Sequence, residues 1–375
     1  MNFVASLGTL GGSTLGYVVP FLFVLSIIVF FHELGHFIVG RWCGVRVLTF
    51  SLGFGPELFG FNDRHGTRWR VAAVPLGGYV KFFGDANAAS MPDVQKNELM
   101  TPEERAVSFF HKPIWKRAAI VAAGPIANFI LAILIFAAFF SVYGKLSVTS
   151  QVGVVIAGSA ADKAGIRAGD IIVAIDGKPI AAFADIPHVV EPLADKTVPI
   201  EIDRNGARAT LSVTPTLREQ PPEATNPVRQ GQLGIQPARE QQNPFQALWL
   251  GTQEVGNIIS QTFSFLGSLV AGHGDTRDMG GVVKIAQISK HVAESSGLIG
   301  LISLAAFLSV SIGLLNLFPI PLLDGGHLVF YAIEAIQGRP LRETTQELLY
   351  RVGLAFVVML MVFSLVNDVI HPFAG

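Results

Sequence analysis

The stretch Phe21-Leu22-Phe23-Val24-Leu25-Ser26-Ile27-Ile28-Val29-Phe30-Phe31-His32-Glu33-Leu34-Gly35-His36 decides how this chain reads. An apolar run broken only by Ser26 leads straight into a His-Glu-x-x-His pattern. On a helix, positions four apart share a face, so His32 and His36 can turn both imidazoles toward one cation. Glu33, one residue on, can address a water at that cation. On a polar helix this pattern arises by chance. Inside a membrane span each ionisable group costs about 2.5–3.5 kcal/mol or more at mid-depth and persists where it is paired, ligated or functional. A metal site is therefore expected here, rather than a pair of structural histidines.

The rest of the chain supports a membrane setting. Of 375 residues, 50% are hydrophobic and 15% charged, with mean hydropathy +0.49; soluble domains carry roughly 25% charged residues. A net charge of -1 leaves no basic footprint for nucleic acid. One cysteine, Cys43, excludes an internal disulfide or a cysteine-rich zinc module and reads as a small buried residue. Val18–Val39, Ala118–Tyr143, Leu298–Ile320 and Val352–Ile370 are each long enough to cross a bilayer of about 30 Å. The first lacks the charged leader of a cleaved signal peptide.

Residues 1–40 hold no Lys or Arg, eleven lie between Arg41 and Arg117, and none follows Arg351. The positive-inside rule then puts both termini outside and both basic loops in the cytoplasm, a parity that four spans satisfy. Phe245–Gly272 is apolar at helical spacing but interrupted by Gln253, Glu254, Asn257, Ser260 and Gln261. It reads as an amphipathic helix on the outer face, because a fifth span would break the charge rule.

Between spans two and three the pattern changes to short strands and turns. Asp176-Gly177 and Asn205-Gly206 mark tight hairpins, and Ala160–Ala164 reads as a short helix stopped at Gly165. The string from Gly158 to Ile172, Gly-Ser-Ala-Ala-Asp-Lys-Ala-Gly-Ile-Arg-Ala-Gly-Asp-Ile-Ile, closely resembles the bacterial PDZ domain. That resemblance implies a single peptide-binding or gating module. A Pro/Gln-rich linker follows, within which Gly231–Ile235 is a candidate returning strand. The domain scheme is thus 1–146 (metal-motif helix, cytoplasmic β-loop, second span), 147–217 (PDZ-like), 218–243 (linker), 244–296 (outer-face helix and connection) and 297–375 (third and fourth spans).

Catalytic zinc takes three protein ligands plus water, so a third donor is needed at similar depth. Asp324 fits. It follows the third span in Asn316-Leu317-Phe318-Pro319-Ile320-Pro321-Leu322-Leu323-Asp324-Gly325-Gly326-His327. The prolines break the helix, the glycines are expected to loosen the chain beyond the carboxylate, and broken backbone at membrane depth belongs in a wet cavity. Both the first and third spans run inward, so His32 and Asp324 reach the same end. His327 reads as a loop histidine without metal contact, and Asn128 as either a packing hydrogen bond between spans or a functional group.

Together these residues resemble the site-2 proteases, most closely the bacterial regulator-of-sigma-E protease group in a single-PDZ form. The resemblance is carried by the two motifs above, by Gly124-Pro125-Ile126-Ala127-Asn128, by Gly77-Gly78-Tyr79-Val80-Lys81 and by the PDZ insert. It implies an α-helical polytopic membrane protein with four transmembrane helices, a membrane-associated β-loop and one inserted α+β PDZ domain. It implies Zn2+ at His32, His36 and Asp324, with Glu33 as general base. It also implies that Asn316 contacts the substrate backbone and that the strand edge at Gly78, Tyr79 and Val80 captures an unwound substrate. The implied substrate is a single-span protein of the inner membrane, such as an anti-sigma factor trimmed on its outer side, with the PDZ domain binding or excluding peptide segments. Two departures stand out: one PDZ domain where relatives carry two, and Gly280-Gly281 where a Gly-Pro pair is expected. The rival readings are a catalytically inactive PDZ-bearing scaffold, against which Glu33 and the full ligand set argue, and a metal or proton transporter, which would spread ionisable groups over several spans.

Overall fold

Long apolar helices dominate the computed structural model, which describes residues 14–85, 99–217, 231–273 and 280–371. Residues 1–13, Lys96 and the first part of the expected linker, 218–230, lie outside the described residues. The chain divides into two units. One takes the described residues up to Ala137 and from Leu248 onward; the other is Ala138–Ala247.

Helix α1 (Thr14–Trp42) carries the His-Glu-x-x-His motif. A long antiparallel hairpin follows, β1 (Val47–Asn62) and β2 (Arg68–Phe82), closed at its tip by Asp63. The Asp63 carboxylate accepts from the amides of His65 and Thr67, from the Trp69 indole and from Arg41 at 2.6 Å. Partial burial opposes its charge, but the Thr67, Trp69 and His65 donors and the Arg41 cation outweigh burial and hold its pKa at about 2. The short helix α2 (Pro102–Val107) opens on a capping box between Thr101 and Glu104. It leads to α3 (Ile114–Tyr143).

The second unit is built from short elements: β3 (Lys145–Leu146), β4 (Val152–Val155), α4 (Ala160–Lys163), β5 (Ile171–Ile175), β6 (Lys178–Pro179), α5 (Asp185–Val190), β7 (Val198–Arg204), β8 (Ala207–Val213), β9 (Thr216–Leu217), β10 (Gly231–Gln232), β11 (Ile235–Pro237) and β12 (Arg239–Glu240). Its main sheet has the order β6-β5-β7-β8. Both expected tight turns form, with φ of 48° and 73° at Asp176 and Gly177 and 55° and 85° at Asn205 and Gly206. Positive φ at both central positions matches the right-handed twist of the strands. The segment after the described gap returns to the unit: β10 pairs with β9, and β11 pairs with β4. The core is aliphatic, with Val152, Ile172, Ile175, Ile200, Ile202 and Val213 all fully buried.

The first unit resumes with α6 (Pro244–Val270), α7 (Val282–Asn316), α8 (Asp324–Gln337) and α9 (Glu343–Ile370). Four of its helices, α1, α3, α7 and α9, are long and apolar enough to cross a membrane. Helix α6 is not among them and packs Val255 and Ile258 against Ala132, Ala306 and Val310. Helix α7 starts sixteen residues before the apolar span read from the sequence, and Gly297, at φ 61° and ψ -148°, breaks it where that span begins. Its first turn is held by α9: Asp368 accepts from the backbone amides of Gly281, Val283 and Lys284 at 2.8–3.1 Å. This gives the unexpected Gly281 a reason. A proline there would have no N–H to donate, and a side chain would meet Ser364 and Asp368.

Candidate metal centre and catalytic cleft

Helices α1 and α3 can cross closely because both are glycine at the contact. A Cβ on Gly35 would overlap the Ala123 carbonyl, and one on Gly124 would overlap His36 Nε2 and stand 2.9 Å from His32 Cε1. The two imidazoles therefore lie over bare backbone of α3. His36 Nδ1 is 2.8 Å from the Ile120 carbonyl. Only a protonated Nδ1 can donate there, which leaves the His36 Nε2 lone pair free for a metal.

Asp324 arrives from the other side. After α7 ends at Asn316, the chain turns through Pro319–Leu323, with Leu322 held at φ 88°. A left-handed leucine costs on the order of 1–3 kcal/mol and is tolerated where the surroundings impose it. Asp324 then opens α8, where the helix N-terminus favours its charge. The expectation that Gly325 and Gly326 loosen this segment is not met. Side chains there would overlap the carbonyls of Leu317, Phe318 and Ile320, so the glycines let the first turn of α8 press against the turn before it. The far side of α8 is tied to α3 by a partly buried ion pair, Arg117 to Glu334 at 2.6 Å, with the guanidinium 4.9 Å from the Tyr331 ring.

His32 Nε2 lies 3.2 Å from Asp324 Oδ2 and 3.3 Å from His36 Nε2, which is 3.6 Å from the same carboxylate oxygen. Ligands at about 2.0–2.1 Å from zinc in a tetrahedron stand about 3.3–3.4 Å from one another. The three atoms thus have the spacing of three tetrahedral corners, and Asp324 Oδ2 is buried without a hydrogen-bond donor. This donor set and its geometry fit zinc. Glu33, 8% exposed, is beside them and accepts a hydrogen bond from the Val80 amide. Gly78 has no room for a side chain: a Cβ would come within 2.8 Å of Val29 and 3.0 Å of the Glu33 side chain.

A cavity of about 670 Å3 opens over this cluster. The predicted residues Asn316, Gly78, Tyr79 and Val80 all line it, together with His32, His36, Asp324 and Glu33. Sequence reasoning put His327 on a loop. It belongs to α8 rather than to a loop and lines the cavity, with ring centroids 5.9 Å and 6.2 Å from Tyr350 and Phe330. Its position three residues after Asp324 on a helix was the available signal. The Arg117–Glu334 tie, 217 residues apart in sequence, left none.

The family model Peptidase family M50 matches residues 20–360. A Rhizobium meliloti protein provisionally named a zinc metalloprotease is 48% identical over 363 residues, covering 95% of this chain and 97% of its own. An Agrobacterium fabrum protein provisionally named in the same way is also 48% identical, over 96% and 97%. Metalloprotease MmpA of Caulobacter vibrioides is 41% identical over 93% and 94%. The chain belongs to peptidase family M50, the site-2 proteases, and is a multi-pass membrane zinc metalloprotease.

Proposed function

We propose that this protein is an intramembrane endopeptidase that cuts a transmembrane segment of a single-span protein, with His32, His36 and Asp324 as zinc ligands and Glu33 as general base. The observation that carries the proposal is the joint placement of three metal-spaced donor atoms and one buried carboxylate in a cavity among apolar helices. When bound, zinc supplies a polarised scissile carbonyl and a water acidified to a pKa of about 7. Glu33 takes the proton of the attacking water and delivers it to the departing amine nitrogen. Its hydrogen bond from Val80 holds the carboxylate toward the reaction site.

A helical substrate shields its peptide bonds, so it must unwind before cleavage. Strand β2 offers a partner for the unwound chain. Gly78 shares the phase of Val80 in the two-residue alternation, so its backbone groups face the Glu33 edge and can pair with an extended segment. Asn316, at the end of α7, is assigned a contact to the same backbone. The exposed apolar side chains of Phe54, Leu58, Phe59 and Leu76 suit a hairpin that dips into lipid.

Residues 147–217, within the second unit, are assigned as a single PDZ domain outside the membrane that gates access of trimmed substrates. The charge pattern supports an inner-membrane protein with both termini outside, α6 on the outer face and the metal site near the cytoplasmic face. An anti-sigma factor is the substrate class that the sequence resemblance favours. The ligand assignment is tested by metal analysis of the purified protein: wild type should hold one zinc, and His32→Ala, His36→Ala and Asp324→Ala should each lose it. Full zinc in any of the three would remove that residue from the ligand set.

A further inference from the structure

The metal-facing nitrogen of His32 is Nε2, so in a neutral imidazole the proton sits on Nδ1 and requires an acceptor. The group at Nδ1 is the side-chain amide of Asn128, 3.3 Å away on α3. In the amide orientation shown, Nδ2 faces Nδ1, and Asn128 Oδ1 is buried without a donor. Turning the amide by half a revolution about its last bond sets oxygen against the Nδ1 proton, giving that proton an acceptor and Oδ1 a donor, and moves Nδ2 to the buried position Oδ1 leaves; the two orientations differ only in which atom is called N and which O.

We propose that Asn128 Oδ1 accepts the His32 Nδ1 proton, making Asn128 a positioning residue that fixes the tautomer and ring plane of one zinc ligand. Asn128 is fully buried, and α7 holds it: Ser309 Oγ donates to its carbonyl at 2.9 Å, and a Cβ on Gly313 would stand 3.1 Å from its own Cβ. Helix α3 thereby orients both imidazoles, His36 through the Ile120 carbonyl and His32 through Asn128. The inference rests on the zinc assignment made above.

The test measures zinc affinity by chelator competition on the full-length protein in detergent, alongside the thermal stability of the metal-free form. Asn128→Leu, of similar volume and without an acceptor, should lose about 10–100-fold in affinity. Asn128→Asp keeps an oxygen at the site and should stay within a few-fold of wild type. The cobalt-loaded protein should show an altered visible spectrum in Asn128→Leu and a wild-type-like one in Asn128→Asp. A purely structural role would lower the stability of both metal-free variants and leave zinc affinity unchanged, and that outcome overturns the inference. Should the variants fail to fold, 15N-histidine NMR of zinc-loaded wild type decides: a His32 bound through Nε2 with Nδ1 protonated is expected, and binding through Nδ1 contradicts it. Zinc retained in His32→Ala would refute the ligand assignment itself. Zinc lost there but held normally by Asn128→Leu would refute only the role of Asn128.

Discussion

Gly124 of α3 lies directly beneath His36, so that a single methyl group at Gly124 would occupy the space of the imidazole Nε2. The helix crossing and the metal site are one construction: the absent side chain is the room in which the histidines sit. Gly124→Ala should therefore push the ring aside by a distance on the order of an ångström and lower cleavage by about 100-fold, the usual penalty for such a displacement. Zinc content measured in the same preparation should fall with it. Normal zinc and normal activity would show that α1 and α3 are farther apart than described.

The Arg117–Glu334 pair anchors the helix that begins with Asp324. Removing one partner leaves the other partly buried and uncompensated, so Glu334→Gln should cost about 1–3 kcal/mol. Replacing both residues with apolar ones of similar size should restore most of that loss. Thermal unfolding of the three variants against wild type checks this, and equal stability of the single and double variants would argue against a partly buried pair.

At the opposite end of the third long helix, Asp368 closes the first turn of α7 from α9. Asp368→Ala removes the acceptor for three amides and should destabilise the protein by about 1–2 kcal/mol, as loss of a helix cap does. Gly281→Pro should do likewise, through both the lost N–H and the filled space. Zinc stoichiometry should be unaffected in either variant, since neither residue lines the metal cavity.

Within the second unit, Arg204 donates twice to the buried carboxylate of Asp170, at 2.7 and 2.8 Å. These bonds, opposed by burial and helped by the Arg167 amide, hold Asp170 below its ordinary value of 3.8. A depressed carboxylate contributes stability above its unfolded pKa and loses it as pH falls through the folded one. Protection factors against hydrogen exchange at β5 and β7, taken relative to the intrinsic rate at each pH, should accordingly be unchanged from neutral pH down to about pH 4 and fall below it. Asp170→Asn should raise exchange at neutral pH and remove the acid dependence.

Much of this site was legible because its chemistry is local. The four-residue spacing of His32 and His36 fixes a shared helix face, and the proline-broken run before Asp324 announces irregular backbone at membrane depth. Charge asymmetry then counted the spans, and among the described residues four helices of sufficient length are found. What the sequence concealed lies between spans. Periodicity gives the face of a helix but not its neighbour, so Asn128 could not be matched to His32 across 96 residues. The same limit hid Asp368 beneath Gly281. Gly325 and Gly326 were misread because a glycine that permits close approach and one that permits bending look alike in a sequence. His327 was misread because the double glycine concealed the start of α8.

The central claim is that Glu33 is the base of a zinc-dependent cleavage inside the membrane. The most direct measurement is cleavage of a tagged single-span transmembrane protein by purified wild type and Glu33→Gln, with zinc quantified in both. Loss of general base catalysis should lower the rate by about 100-fold or more, while zinc content stays equal, because Glu33 is not among the three metal-spaced donors. Equal cleavage by the two proteins at equal zinc would contradict the account.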